Sequence, residues 1–243
     1  MDRMVVTALH GLPLIVPGDD LPGILAASLA ANHVQDGDLL VVAQKIVSKA
    51  EGAIVNLADV TPSTEAIRLA GITNRDPRHV QVMLDEATEV LFTKGKTIVT
   101  RHRLGFIGSS SFVDRSNVAA HGDGYVVLLP RDPDASARLI SQAIAQVTGY
   151  RVAVIINDSA GRDHRDGSVG TAIGISGIRP LAIEAKPDLF GNMSTSRIAL
   201  VDELAAAGSV LMGQANEGVP AVLIHGVTYE FDASATIRSL LNP

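Results

Sequence analysis

The chain has 243 residues, no cysteine or tryptophan, 20 basic against 26 acidic residues and a formal charge of −6. Disulfides, thiolate metal sites and thiol nucleophiles are thereby excluded, and a dispersed acidic charge with few aromatic rings argues against a nucleic-acid partner. From Met1-Asp2-Arg3 onward there is no basic leader followed by an apolar stretch and no run of about 18 apolar residues, so no membrane partner is expected and a cytoplasmic location fits.

In chain order, Val5 to Leu9 is a short strand, and Gly11-Leu12-Pro13-Leu14-Ile15-Val16-Pro17-Gly18-Asp19-Asp20 is a loop broken by glycine and proline. Leu21, Ile24, Leu25, Ser28 and Leu29 recur at three- and four-residue spacing, which predicts a helix over about residues 21 to 33, capped by Asp19 or Asp20. Asp36-Gly37-Asp38 turns the chain into Leu39-Leu40-Val41-Val42-Ala43, apolar on both faces and so a fully buried strand. Helical spacing from Ser63 to Val90 is interrupted near Pro77, predicting two helices, the second from Val80 to Val90. Thr97 to Thr100 and Tyr125 to Leu129 read as strands, with Gly108-Ser109-Ser110-Ser111 as a loop of small residues between them. Asp132-Pro133 opens the clearest helix, lined on one face by Leu139, Ile140, Ala143, Ile144 and Val147 and closed by Gly149. A strand from Val152 to Ile156 follows. Ile198, Val201, Leu204, Ala205 and Leu211 mark a helix ending at Gly213, and Ala221 to Ile224 is the last strand. Several strand-to-strand connections carry no helix, so a mixed α+β arrangement fits as well as a parallel sheet.

Chemistry concentrates where buried strands end. Ile155-Ile156-Asn157-Asp158-Ser159-Ala160-Gly161-Arg162, followed by Asp163-His164-Arg165-Asp166-Gly167 and Ala172 to Ile178, reads as a buried strand ending in an acid, a hydroxyl, a glycine and two arginines. Asp158 and Ser159, exposed at a sheet edge, are hard oxygen donors suited to Mg²⁺ or Mn²⁺, and Arg162 and Arg165 suit a phosphate. A turn-capping Asp158 and solvated arginines are the plain alternatives. In Val113-Asp114-Arg115-Ser116-Asn117-Val118 a second acid can share that cation and Asn117 can meet a nucleotide, or the segment is an Asx-turn or helix cap. Gln44-Lys45-Ile46-Val47-Ser48-Lys49-Ala50-Glu51-Gly52 sets two lysines past a buried strand, as counter-charges for phosphate or, for Lys49, as a partner of Glu51 or of a nearby Asp. In Met212-Gly213-Gln214-Ala215-Asn216-Glu217-Gly218-Val219-Pro220, Gln214 offers a neutral oxygen and the glycines offer backbone amides, against ordinary helix C-capping. G-x-x-x-x-G-K-[ST], a G-x-G-x-x-G after a strand, G-x-S-x-G and paired-histidine zinc motifs do not occur, so P-loop, Rossmann, serine-hydrolase and zincin readings are unsupported.

A series of segments, taken together and in order, resembles the coenzyme F420-0:L-glutamate ligases, or gamma-glutamyl ligases. They are Gly11-Leu12-Pro13 with Pro17 to Leu21, Asp36-Gly37-Asp38 with Val47 to Gly52, Val113 to Val118, and Leu128-Leu129-Pro130 with Asp132-Pro133-Asp134. Then come Asn157-Asp158-Ser159 with Gly161-Arg162, Val169 to Ile178, Asp188-Leu189-Phe190-Gly191, Ala199 to Leu204, and Met212-Gly213-Gln214 with Gly218-Val219-Pro220, so the resemblance spans nearly the whole chain. It implies a single family domain over residues 1 to 243, an α+β fold of mixed sheets with flanking helices and two subdomains in an intertwined homodimer, and no appended nitroreductase-like domain. It further implies GTP-dependent addition of L-glutamate to the lactyl-phosphate end of a deazaflavin precursor through an acyl phosphate, releasing GDP and phosphate. At the matching positions, metal ligation by Asp114, Asp158, Ser159 and Gln214 is implied, with Mg²⁺ or Mn²⁺ and often K⁺. Guanine-nucleotide binding falls on Leu12, Pro13, Leu14, Ile15, Gln44, Lys49 and Asn117, and on Met212, Gly213, Gln214, Ala215, Asn216, Glu217, Gly218 and Val219. Asp114, Asp158 and Lys49 are the implied catalytic groups. Three features depart from the family pattern: Asp158-Ser159 stands for Asp-Thr, Ser110-Ser111-Phe112 stands for Asn-Ala-Gly, and the segment after Gly226 is short. Phe112, a ring where a permissive glycine is usual, leaves open a related amide ligase with a different carboxylate acceptor or amine.

Overall fold

Apolar runs with no polar face must be covered on both sides, and here they form the middle of a mixed sheet. The structure, a computed structural model, describes residues 3–118, 124–162 and 165–241; residues 1–2, 119–123, 163–164 and 242–243, with Met1-Asp2, Asp163-His164 and Pro243 among them, lie outside the described residues. The chain runs β1 (Val5–Ala8), α1 (Leu21–Ala31), β2 (Leu39–Ala43), α2 (Gln44–Ala50), β3 (Ile54–Asn56), α3 (Thr64–Thr73), α4 (Pro77–Glu86), β4 (Ala87–Lys94), β5 (Thr97–His102) and β6 (Ile107–Ser109). It continues through β7 (Tyr125–Val127), α5 (Pro133–Thr148), β8 (Ala153–Arg162), β9 (Arg165–Ser176), β10 (Ala182–Pro187), β11 (Met193–Ile198), α6 (Leu200–Met212) and β12 (Ala221–His225).

The central sheet has the order β1-β12-β2-β8-β9, with β2 and β8 parallel and every other neighbour antiparallel. α5, packed on α1, covers β8 and β9 on one face, and α6 covers the other, which is why Leu39 to Val42 and Ala153 to Ile156 are buried residue by residue. The first turn of α5 lies so close to β9 that a Cβ on Gly174 would strike the Pro133 backbone. A second hydrophobic cluster, with Leu57, Leu69, Val80, Met83, Ile98, Val113 and Val126 among its members, sits under α3 and α4. A β4-β5-β6 sheet, a β3-β7 pair and an exposed β10-β11 hairpin complete the architecture.

Several expectations are corrected. The second of the paired helices starts at Pro77, whose fixed φ suits a first turn, with Asp76 capping the Arg78 N–H; it ends at Glu86, and Ala87 to Val90 belong to β4. α5 buries Ala137, Ile140 and Ile144, whereas Leu139 and Val147 are exposed. Leu139 stands more than a third of a turn from the buried line, and Val147 lies in the last turn. The Tyr125 strand stops at Val127, and the small-residue loop splits into β6 and a 3-10 turn. Ile198 closes β11 rather than opening α6, and Leu211 is exposed. β8 does not end at Ile156: pairing with β9 carries it through Asp158 and Ser159 to Arg162.

Two predictions follow from this packing. Gly174→Ala is expected to destabilise the protein by about 1–3 kcal/mol through overpacking against Pro133, and a thermal midpoint equal to the wild type's would show that α5 can shift at no cost. His79, buried in the second cluster, is held down to about 4 by burial first and then by the charges of Arg75 and Arg115. The unfolded chain's histidine titrates near 6.5, so between these values the unfolded state binds the extra proton. The neutral histidine's contribution is full above about pH 6.5 and falls by up to about 3 kcal/mol as pH drops toward 4. Urea midpoints from pH 7 to 4.5 should therefore fall more steeply for the wild type than for His79→Gln.

Candidate active site

Because β12 is antiparallel to both β1 and β2 while β2 and β8 are parallel, the C-terminal ends of β1 and β2, the Asn157 region of β8 and the start of β12 share one edge of the sheet. The Leu12 to Ile15 loop, α2, Asp158-Ser159 and the loop leading from α6 into β12 all meet that edge, the usual seat of a ligand in an open sheet of this kind. Asp114 reaches it from the other cluster. Ser110, Ser111 and Phe112 take φ values of 57, 49 and 56°, a left-handed turn built without glycine, after which the Asp114 backbone pairs with Val127. Such conformations cost on the order of 1–2 kcal/mol per residue. The Ser111 hydroxyl offsets part of this by donating to the Met83 carbonyl at 2.7 Å, and it lies 2.8 Å from the Thr100 hydroxyl. The Phe112 ring contributes edge-on contacts with His102 and Phe106, each at 6.1 Å, and lies over Gly108, where any side chain would collide with it.

Asp158 was expected at an exposed edge, but it is buried, at 9% exposure. Burial first, then the like charge of Asp114, push its carboxyl up to about 7; Gln44, which bonds Asp114, directly follows Ala43, the residue paired with Asn157, and so brings Asp114 toward this end of β8. It accepts the Ser159 N–H at 2.8 Å. Asp114 is held by Lys45 Nζ at 3.0 Å and by Gln44 Nε2 at 3.3 Å; Lys45 also donates to the Ser116 hydroxyl at 2.9 Å. Gln44, which the resemblance places at the nucleotide, is buried and accepts from the Ser48 hydroxyl. One residue beyond Asp158 the strand presents its opposite face, and there the Ser159 hydroxyl donates to Gln214 Oε1 at 2.8 Å. The four implied ligands thus form two pairs, Asp114 with Asp158 and Ser159 with Gln214, rather than one ring.

This all-oxygen set fits a hard divalent cation, and it fits at Asp158 for a physical reason: a cation between the acids would offset the burial and, after it, the repulsion by Asp114 that raise its pKa. Among the described residues no group of three or more His, Asp or Glu side chains gathers, so a cation would complete its shell with water or substrate oxygens.

The other positions divide by geometry. Lys49 is half-buried, makes no ion pair within 4 Å among the described residues, and is pulled below the usual lysine range by burial and then by Lys45. Glu51 is not its partner, since it accepts from the Arg131 N–H at 3.2 Å and from the Ser136 hydroxyl. Asn117, at φ 54°, donates to the Ala215 carbonyl at 2.8 Å and ties two loops together. Glu217 folds back to accept the Ala215 N–H at 2.8 Å, against Gly213. Ile15, Met212 and Val219 are core residues, Leu12 is partly buried, and Pro13, Leu14, Asn216 and Gly218 are exposed. Arg162 donates to the Asp166 carbonyl at 3.4 Å, and both Arg162 and Arg165 are exposed on the β8-β9 hairpin. The specific roles of Lys45 and Ser116 were missed; the signal was two lysines at a strand end, of which the nearer one meets Asp114.

The chain matches the family described as F420-0:Gamma-glutamyl ligase over residues 11–226. It belongs to that family. It is similar to the coenzyme F420:L-glutamate ligase of Methanothermobacter thermautotrophicus, with 41% identity over 97% of this chain and 94% of the relative. The ligases of the same name from Methanocaldococcus jannaschii (41%, covering 96% and 91%) and Methanosarcina mazei (35%, covering 97% and 91%) are also similar. The protein is therefore an enzyme of the ligase class, of mixed α+β architecture. No helix among its described residues is long and apolar enough to cross a membrane.

In this ligase Asp158→Asn removes a buried charge that Asp114 repels, so the thermal midpoint should be unchanged or higher. Mn²⁺ affinity by titration calorimetry should fall by about tenfold or more; unaltered affinity would remove Asp158 from the metal set.

Proposed function

We propose that the protein joins L-glutamate to coenzyme F420-0, the lactyl-phosphate form of the deazaflavin precursor, at the expense of GTP. The observation that carries this reading is the convergence of Asp114 and Asp158 at the sheet edge of a chain whose relatives are named F420:L-glutamate ligases. The substrate carboxylate attacks the γ-phosphorus of GTP, GDP leaves, and the glutamate amine then displaces phosphate from the acyl phosphate and loses a proton. Asp114 with Asp158, and Ser159 with Gln214 on the opposite strand face, are the two pairs that would hold Mg²⁺ or Mn²⁺, with K⁺ as a further cation, and the metal would supply positive charge against the transferring phosphoryl group. Lys49, half-buried and without an ion pair among the described residues, is suited to a nucleotide phosphate. Lys45 and Gln44 hold and orient the Asp114 carboxylate. The Leu12 to Ile15 and Met212 to Val219 loops flank the edge where the guanine nucleotide would lie.

A homodimer in the cytoplasm is part of the same proposal. It is supported by the β10-β11 hairpin, whose strands are exposed and whose tip carries Leu189 and Phe190 at 100% and 90% exposure. A two-stranded ribbon with an uncovered apolar tip gains stability when a second surface covers it. The Phe112 ring is taken up by His102, Phe106 and Gly108, which favours the F420 precursor over a different acceptor.

Incubation with F420-0, glutamate, GTP and Mn²⁺ should yield GDP, phosphate and glutamylated product in equal amounts, and Lys49→Ala should raise the KM for GTP about tenfold. GDP release without glutamylated product would overturn the substrate assignment, and an unchanged KM would overturn the role of Lys49.

A further inference from the structure

Between the β5-β6 turn, the first turn of α5, β9 and the C-terminal 3-10 turn lies a cavity of about 250 Å³ that the chemistry above does not use. Phe106, Ile173 and Ile237 give it apolar surface, and Arg131, Arg138 and Arg238 also line it. None of these arginines makes an ion pair within 4 Å among the described residues. The acids of the lining are engaged elsewhere. Asp132 accepts the Ala135 N–H at 2.9 Å, and buried Asp134 accepts those of Ile175 at 2.8 Å and Ile237 at 3.2 Å. Guanidinium groups beside apolar surface suit a planar apolar body with a carbonyl-bearing or anionic edge, since the guanidinium fork both stacks on rings and donates to such an edge.

The cavity is fastened to the reacting end in two ways. Glu51, just past α2, accepts from the backbone N–H of Arg131, a residue of the cavity wall, and from Ser136 in the first turn of α5, while Gln44 and Lys45 at the start of α2 hold Asp114. The seven residues of α2 span about 10 Å. Phe106 is also packed edge-on by Phe112, the last residue of the strained turn that delivers Asp114.

We infer that this cavity seats the heterocyclic end of the F420 precursor, with Phe106 meeting the ring and Arg138 and Arg238 its polar edge. The inference rests on the ligase reading above and adds the acceptor's seat to it. Its test is the double variant Arg138→Ala/Arg238→Ala, with Arg238→Lys as the conservative partner and Phe106→Leu as a second variant should the double one fold poorly. The KM for the precursor should rise about tenfold or more, with the KM values for GTP and glutamate within about twofold of wild type and partial recovery in Arg238→Lys. Equilibrium dialysis of the precursor should show the same loss. A truncated acceptor, the lactyl phosphodiester without the heterocycle, should be used equally by wild type and variants. An unchanged precursor KM, an equal rise for all three substrates, or an equal effect on the truncated acceptor would overturn the seat while leaving the ligase reading intact. A wild type that turns over GTP but never the precursor would overturn both.

Discussion

The site depends on bringing one carboxylate, Asp158, into a buried position beside a second, Asp114. Like charges at short range repel, and burial removes the water that would screen them, so the pair persists only if surrounding structure fixes both ends. Asp158 is fixed by the β2-β8-β9 ladder, which is covered by helices on both faces and cannot slip register without turning its apolar residues outward. Asp114 is fixed by a left-handed turn, a backbone bridge to Val127 and the Lys45 ammonium. The central sheet and the second cluster therefore meet at the acids, and each contributes one.

Much of the central sheet was legible because its signals are local. Leu39 to Ala43 and Ala221 to Ile224 are uninterrupted apolar runs, and Asp132-Pro133 with Gly149 brackets α5 with a cap at each end. β10 and β11 gave no such signal, since Glu184, Lys186, Ser194 and Ser196 lie on strands with almost no buried face and hence no alternation to read. The continuation of β8 past Ile156 was hidden for a related reason. Its polar half is specified by pairing with β9, a tertiary contact that no spacing within Asn157 to Arg162 announces.

The site shows the same division. Asp114, Asp158, Ser159 and Gln214 could be named from their order along the chain, yet their arrangement in two pairs follows from strand geometry, in which neighbouring residues point to opposite faces. Lys45 was passed over for Lys49 because two lysines four apart near a helix start look alike in sequence. Only the position of the Asp114 loop separates them, making one a counter-ion and leaving the other without an ion pair among the described residues. Gly108 to Ser111 reads only as a loop of small residues, since nothing in Ser110-Ser111-Phe112 signals three positive φ values.

The two acids are unequal. Asp114 is already balanced by an ammonium and an amide, while Asp158 has one backbone N–H and a neighbour of its own sign. A cation entering between them would gain most from Asp158, whose charge burial otherwise disfavours, while Asp114 is already held by Lys45 and Gln44. The strained turn has a physical role in this inequality. A flexible loop would let Asp114 swing away from Asp158 and relax the repulsion, whereas the packed Phe112 ring and the Ser111 hydrogen bonds hold it near its neighbour before any ligand arrives. That preorganisation places its cost in folding, so that little of it remains to be met when a ligand binds.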